Sequence, residues 1–340
     1  MLVLGIESTC DETGISLVED GKKILSNVIA SSADIHKKYG GVFPELACRR
    51  HIDVLLPVLE EALHIAKVKP SQIDLIAVAQ GPGLIGALLI GMNAAKGLAI
   101  SWNKPLIGVN HVEAHLYAAL MGNDEPLFPA LGIVLSGGHT LLLKIFEIGE
   151  YEAIATTVDD AIGEAFDKVA TLLGLPYPGG PEIEQIAKEG NSEKYPLKAG
   201  FVKKSPLDFS FSGLKTSVLY ALKGQNATKG QLADPLDHQT KADLAASFQK
   251  TALGDVLYKA KKAILTFPCR SIVLGGGVSS NTYLKEIFEK EFSTTPLFWP
   301  PKKLALDNAA MIAGLGYHKF LKKQTGDSLD LEVLTRIPIA

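Results

Sequence analysis

Apolar residues open the chain in two short runs divided by a polar turn. LVLGIESTCDETGISLVEDG alternates in the manner of a strand, a turn and a second strand ending near Asp20-Gly21, so a strand–turn–strand hairpin is predicted. The period changes at HIDVLLPVLEEALHIAK, where Ile52, Leu55, Leu56, Leu59 and Leu63 recur at helical spacing. Pro57 lies inside that run and has no N–H to give, which predicts a kink or a break there. DLIAVAQ then predicts a buried strand, ALLIGMNAAKGLAIS a helix and PLIGVN a short strand. Strands and helices in that order indicate an α/β domain.

Around residue 130 the opening pattern returns. PALGIVLSGGHTLLLKIFEIG predicts strand, turn and strand, with Ser136-Gly137-Gly138-His139-Thr140 at the turn. Helices follow at DDAIGEAFDKVATLLG and ADLAASFQKTALGDVLYKAKKAIL, then a strand at SIVLGGG and a helix from about Thr282. Two halves that each open on a hairpin suggest an internal duplication with a cleft between the copies. The last helix, DNAAMIAGLGYHKFLKK, is expected to pack back towards the first half. Residues from about Lys188 to Thr240 are rich in Gly, Pro and Lys and read as a loop-rich insertion at the cleft mouth.

Composition narrows the class. A length of 340 residues favours two domains over one core. Hydrophobic residues at 47% and charged residues at 21% have the balance of a soluble globular protein. A net charge of −3 and a pI near 6.3 supply no general basic field. Contact with nucleic acid would therefore need a local patch or a partner. The short basic runs Lys37-Lys38, Arg49-Arg50-His51, Lys203-Lys204 and Lys302-Lys303 read as solvated surface. Cys10, Cys48 and Cys269 form no C-x-x-C pair, which suits a reducing compartment. The first apolar stretch meets Glu7 at once, unlike a secretory leader. Between Asp74 and Lys96 an uncharged run is long enough to cross a bilayer. Its central Gly81-Pro82-Gly83 and many small residues fit a buried strand, tight turn and buried helix better. A cytoplasmic protein is expected.

The sharpest chemical signal is His111-Val112-Glu113-Ala114-His115. On a helix, positions four apart share a face, so both imidazoles can reach one ion. The same spacing arises on surface helices without a metal, so it leaves both readings open. In zinc proteases the glutamate directly follows the first histidine and serves as base. Glu113 comes one position later, and at roughly 100° per residue it falls opposite the two rings. A helical segment therefore excludes the protease arrangement. Ser136-Gly137-Gly138 and Gly275-Gly276-Gly277 are turns whose N–H groups could converge on an anion. Gly276 and its neighbours lead through Ser279-Ser280-Asn281 into a helix N-terminus, a favourable end for anions. Gly81-Pro82-Gly83-Leu84-Ile85-Gly86 matches G-x-G-x-x-G, yet no acidic residue occurs between Gln80 and Glu113. A nicotinamide cofactor is excluded on that ground. Asp160, Glu164 and Asp167 fall on one helical face, either solvated or lining a polar cleft. Asp307-Asn308 before an apolar helix is an N-cap, a third metal ligand, or both.

Taken in order, these segments resemble one family over essentially the whole chain. GIESTCDETG (Gly5–Gly14), GGVFPELACRRH (Gly40–His51), GPGLIGALLIG (Gly81–Gly91), HVEAH, LSGGHT, DDAIGEAFDKVA, YPGGP (Tyr177–Pro181), DFSFSGLKT (Asp208–Thr216), GGGVSSN and LDNAAMIA all match. The chain resembles the bacterial form of the tRNA threonylcarbamoyladenosine transferase family. That resemblance implies the actin-like ATPase (ASKHA) fold of Hsp70, sugar kinases and actin, with two duplicated α/β domains around a nucleotide cleft. The implied first domain spans 1–108 with a tail from about 320–340, and the second spans 109–319. His111, His115 and Asp307 correspond to metal ligands for one divalent ion per subunit, iron(II), with zinc as the alternative. Val134, Leu135, Ser136, Gly137, Gly138, Asp167, Gly180 and Asn281 correspond to contacts with threonylcarbamoyl-AMP. Glu184 stands at a further acidic position where relatives vary. The implied reaction moves the threonylcarbamoyl group to N6 of adenosine 37, 3′ of the anticodon, in tRNAs reading ANN codons. Asp11 and Glu12 are the candidate catalytic bases. The family also implies a paralogous actin-like subunit (TsaB) and a small ATPase (TsaE) as partners. Two rivals share the fold: a small-molecule kinase holding Mg-ATP with carboxylates, and a non-catalytic scaffold.

Overall fold

The computed structural model describes residues 1–36, 41–123, 127–223 and 236–337. The basic run Lys37-Lys38, Gly40 of the second motif, part of the expected insertion and the last three residues of the tail lie outside the described residues. In chain order the first elements are β1 (Leu2–Glu7), β2 (Glu12–Glu19), β3 (Lys23–Ser31), α1 (Ala33–His36), α2 (Pro44–Ala66), β4 (Leu75–Gly81), α3 (Ile85–Trp102), β5 (Leu106–Asn110) and α4 (His111–Leu120). There follow β6 (Ala130–Leu135), β7 (Thr140–Glu147), β8 (Glu150–Thr156), α5 (Ile162–Leu172), α6 (Gly179–Ala187), α7 (Ser212–Lys223) and α8 (His238–Thr266). The chain closes with β9 (Ser271–Gly275), α9 (Thr282–Glu291), β10 (Leu297–Phe298) and α10 (Ala309–Lys323).

These elements fall into two compact units. The first comprises Met1–Phe128, Ile145–Glu152 and Phe298–Ala340, and the second Pro129–Lys144 and Ala153–Leu297. The sheet of the first unit has the order β3-β2-β1-β4-β5. Its β1–β2 and β2–β3 pairs are antiparallel, while β1–β4 and β4–β5 are parallel. Alternation along the strands sends successive side chains to opposite faces. Val3, Ala77 and Val109 pack with Ala114, Tyr117 and Ala310 from α4 and α10. Leu4, Ile76 and Val78 pack with Leu55, Leu59 and Met92 from α2 and α3. Both faces are thus covered, which explains why these strands are apolar throughout.

The sheet of the second unit has the order β10-β9-β6-β7-β8. Read from its first strand, that is the order of the first sheet, with β6 pairing β9 in parallel as β1 pairs β4. The duplication expected from the two hairpins is therefore present in the strand order.

Several local expectations are corrected. α2 runs through Pro57 without the expected break. Proline in a helix interior costs about 3 kcal/mol, but Pro57 lies on the solvent side, flanked by the buried pairs Val54-Leu55 and Val58-Leu59 that hold both halves to the sheet. The apolar face is also rotated from the expected one, since Ile52 and Leu56 are 65% and 61% exposed. β3 and β8 extend the two hairpins. The segment expected to be loop holds α7 and the start of α8. The boundary expected at 108/109 differs from the compact units, which keep α4 and α10 with the first sheet. Ala114, Tyr117, Ala118 and residues 310–313 belong to one core with Val3 and Val109. α3 is long and apolar enough to cross a membrane, yet its Ala87, Leu88, Met92, Ala95 and Ala99 are buried in the fold. After α10 the chain straps the first sheet: Asp327 N donates to Leu106 O at 2.7 Å and Leu334 N donates to Gln80 O at 3.0 Å.

Candidate functional site

Asn110 ends β5 and caps α4, its Oδ1 accepting from Val112 N at 2.9 Å. The helix therefore begins at His111, so His111 and His115 project from one face one turn apart. Both are buried, and their ring centroids lie 4.6 Å apart. On α10 the cap is Asn308, whose Oδ1 accepts from Met311 N at 3.1 Å. Asp307 is therefore not the cap. Its Oδ1 lies 3.5 Å from His111 Nε2 and 3.2 Å from His115 Nε2. The start of α10 is brought there by Gly5 of β1, where a Cβ would stand 2.3 Å from Ala309 O.

The three donor atoms lie within 4.8 Å of one another. Neither ring nitrogen of the buried His115 has a hydrogen-bond partner among the described residues; Asp307 Oδ1 stands at ion-pair distance from Nε2. Unpartnered buried polar atoms cost free energy, and a cation among two imidazoles and a carboxylate would satisfy His115 Nε2. The residues fit a divalent metal held by nitrogen and oxygen donors.

A residue missed in the sequence completes the group. The wholly buried Glu7 accepts from Thr9 N at 2.7 Å through Oε1 and lies 2.9 Å from His111 Nδ1 through Oε2. Its signal was a lone carboxylate closing an apolar strand. Burial acts to lower the His111 pKa, but the charges of Glu7 and Asp307 outweigh it and push it up to about 9. A metal ion would take the place of that proton.

The β1–β2 turn lies in the same unit. Burial pushes Glu12 up to about 7. Its Oε1 accepts from Ser31 Oγ at 2.7 Å, whereas its buried Oε2 has no hydrogen-bond partner among the described residues. Asp11 is raised by burial and by the charge of Asp307. Cys10 is raised by burial, so it remains a thiol. Glu113 lies outside the three-donor group, and its charge is felt by Tyr151 and answered by Lys319. α4 is helical, so the protease arrangement is excluded as the spacing required.

The other sequence-derived candidates all lie in the second unit. Val134 and Leu135 end β6, and Ser136 closes the turn: its N donates to His139 O at 2.9 Å and its Oγ accepts from His139 N at 3.0 Å. Ser136 O accepts from Gly163 N at 3.1 Å. Gly137 and Gly138 are exposed with open space beside them. Gly276, at φ 88°, could carry no Cβ, which would stand 2.4 Å from Leu135 O. Asp167 Oδ1 accepts from Gly179 N at 2.7 Å, tying α5 to the start of α6, where Gly180 faces open space. Glu184 Oε1 accepts from Thr282 N at 2.8 Å, and Asn281 caps α9 while its Nδ2 donates to Gln249 at 2.9 Å. Of the expected face, Asp160 and Glu164 meet at Lys168, while Asp167 is engaged elsewhere. Asp160 precedes α5 and pairs with Lys168 and Lys215, Glu164 pairs with Lys168, and Asp167 serves Gly179.

Two sheets of one strand order define an actin-like ATPase fold, and the His-His-Asp group gives its first unit a candidate metal centre. The fold agrees with solved structures: full-length HypF in the phosphate- and nucleotide-bound form (TM-score 0.61, 15% identity, 96% of this chain and 47% of that one). The (R)-2-hydroxyglutaryl-CoA dehydratase component A of Acidaminococcus fermentans gives TM-score 0.53 at 15% identity, covering 94% of this chain and 98% of that one. Residues 23–314 match the family model "TsaD: tRNA N6-adenosine threonylcarbamoyltransferase". A protein of that name from Protochlamydia amoebophila is 58% identical over 100% of this chain and 98% of its own. One from Dictyoglomus turgidum is 48% identical over 96% of each. The chain belongs to the family of tRNA N6-adenosine threonylcarbamoyltransferases.

Proposed function

We propose that the chain transfers a threonylcarbamoyl group from threonylcarbamoyl-AMP to N6 of adenosine 37 in tRNAs reading ANN codons, releasing AMP. The observation that carries the metal-dependent form of this reading is the buried His115, whose Nε2 lies 3.2 Å from Asp307 Oδ1 with no hydrogen-bond partner among the described residues, in a group completed by His111. Those three residues would hold iron(II), or zinc in its place. The ion would supply a Lewis acid and template for a carbonyl or phosphate oxygen.

The residues of the chain do the rest. The exocyclic amine is conjugated with the purine and attacks weakly, so the carbamoyl carbon must be made more electrophilic and the amine must lose its proton. The N–H groups about Gly137 and Gly138 bind the adenylate and stabilise negative charge on the carbonyl oxygen. Val134, Leu135, Ser136, Asp167, Gly180, Glu184 and Asn281 bind and orient the donor. Glu12, with a pKa near neutrality and one free oxygen, takes the proton from N6, with Asp11 beside it as the alternative base. As N6 bonds to the carbonyl carbon, the bond from that carbon to the phosphate oxygen breaks and AMP leaves. A paralogous actin-like subunit and a small ATPase serve as partners. The reaction takes place in the cytoplasm with the tRNA pool.

The test is nucleoside mass spectrometry of unmodified tRNA incubated with the protein, threonylcarbamoyl-AMP and the two partners. Appearance of N6-threonylcarbamoyladenosine is expected, and its loss in His111→Ala. No product with every component present overturns the reading.

A further inference from the structure

We propose that Glu7 is a positioning residue of the metal centre: it fixes the His111 ring so that Nε2 faces the ion, and its charge balances the ion inside the fold. This rests on the metal reading above and adds to it a fourth residue that binds no metal itself.

The geometry is that of a carboxylate serving only as acceptor. Glu7 is wholly buried at the end of β1. One oxygen takes the Thr9 N–H at 2.7 Å and the Thr9 hydroxyl, and the other lies 2.9 Å from His111 Nδ1. A carboxylate cannot donate, so His111 must carry its proton on Nδ1. Nε2 is then the nitrogen at which a metal would replace the second proton, on the side where Asp307 Oδ1 lies at 3.5 Å. A neutral imidazole held in this tautomer is the form a metal requires.

His115 provides the internal contrast. It sits one turn along the same helix, also buried, and neither of its ring nitrogens has a hydrogen-bond partner. No hydrogen bond among the described residues preselects its tautomer. Of the two histidines, His111 alone arrives already oriented.

Charge points the same way. A divalent ion with two neutral imidazoles and Asp307 would leave one uncompensated positive charge in a buried site, which is costly. Glu7 supplies the missing negative charge at the distance of one imidazole ring. Its own position is fixed by backbone, because Thr9 O accepts from Leu84 N at 2.8 Å.

The test uses the full chain with zinc as the probe. Long-range 1H–15N NMR of the zinc-loaded wild type should show His111 protonated at Nδ1 and bound through Nε2. Binding through Nδ1 overturns the proposal without recourse to any variant. Glu7→Gln keeps the shape and an acceptor but removes the charge. Its zinc dissociation constant, by competition with a chromophoric chelator, should rise about 10–100-fold. Glu7→Asp, whose carboxylate is drawn back by about 1.5 Å, should also weaken zinc while retaining the charge. It supplies the reading if Glu7→Gln does not fold. Wild-type affinity in a folded Glu7→Gln overturns the proposal. A wild-type chain that takes up no zinc and no iron(II) overturns the metal centre itself, and this inference with it.

Discussion

Gly5→Ala tests how tightly the metal centre is tied to the packing of β1 on α10. The new Cβ would stand 2.3 Å from Ala309 O, 2.8 Å from Ala313 N and 2.9 Å from Ala313 Cβ. None of these atoms is the end of a flexible side chain. Gly5 itself is held between β2 and β4 by ladders on both sides, so the helix must yield. An ordinary carbon–oxygen contact of about 3.3 Å asks for a shift of about 1 Å. Overpacking of this kind costs about 1–3 kcal/mol. For a unit of this size each kcal/mol lowers the melting temperature by about 2–4 °C, giving a loss of roughly 2–12 °C. The displaced turn adjoins Asp307, and metal–ligand distances tolerate only about 0.2 Å, so zinc affinity should fall as well. The assays are thermal unfolding and chelator competition. Gly97→Ala is the control: Gly97 is exposed on α3 with nothing within 4 Å of its Cβ position. It should gain up to about 1 kcal/mol from helix propensity. A Gly5→Ala protein melting within about 1 °C of wild type, with unchanged zinc affinity, refutes the reasoning.

Three further outcomes are expected. His115→Leu should abolish zinc uptake, yet leave the metal-free protein as stable as wild type or more so, because it removes two unpartnered buried nitrogens worth about 1–3 kcal/mol each; a large drop in metal-free melting temperature would contradict this. Glu12 has a folded pKa raised to about 7 by burial, above its unfolded value, so the folded state holds the proton longer and stability is lost as pH rises from about 4.5 to 7. Glu12→Gln should therefore melt with wild type below about pH 4.5 and above it at pH 8, by on the order of 1–2 kcal/mol after allowance for partial exposure, while losing transfer; parallel pH profiles would sink the assignment. Lys259 and Asp255 form a buried pair at 2.6 Å on α8, with Nζ 4.6 Å from the Phe209 ring centroid. Lys259→Met should cost about 3–5 kcal/mol by stranding a buried carboxylate, and adding Asp255→Leu should restore most of it, as read by denaturant unfolding.

The parts of the fold legible in the sequence were those whose local pattern and tertiary burial agree. β1, β4, β5, β6 and β9 are apolar runs because both faces of their sheets are covered. α2 shows where the pattern misleads. Ile52 and Leu56 fit a helical face, but the sheet takes the neighbouring stripe of Val54, Leu55, Val58 and Leu59. β3 was missed because it is an edge strand with mostly half-exposed residues. At the site, the His111–His115 spacing was readable because a helix fixes it. Asp307 could be suspected but not separated from a cap, since the choice depends on Asn308 taking the capping bonds. Glu7 was invisible as a partner, because the contact spans 104 positions and no local spacing encodes it.

The interleaving of the first unit sets a constraint on its biosynthesis. β1 to β5 and α4 emerge early from the ribosome, but their common core lacks Ala310, Met311, Ile312 and Ala313 until α10 is made. At about 5–20 residues per second, the roughly two hundred residues between His115 and Asp307 take on the order of 10–40 seconds to add. For that interval the nascent chain carries an open apolar sheet face and two histidines without their acidic partner. The second unit, nested within the first, can fold in the meantime. Assembly of the candidate His-His-Asp group is therefore a late event, coupled to closure of the sheet rather than to its formation.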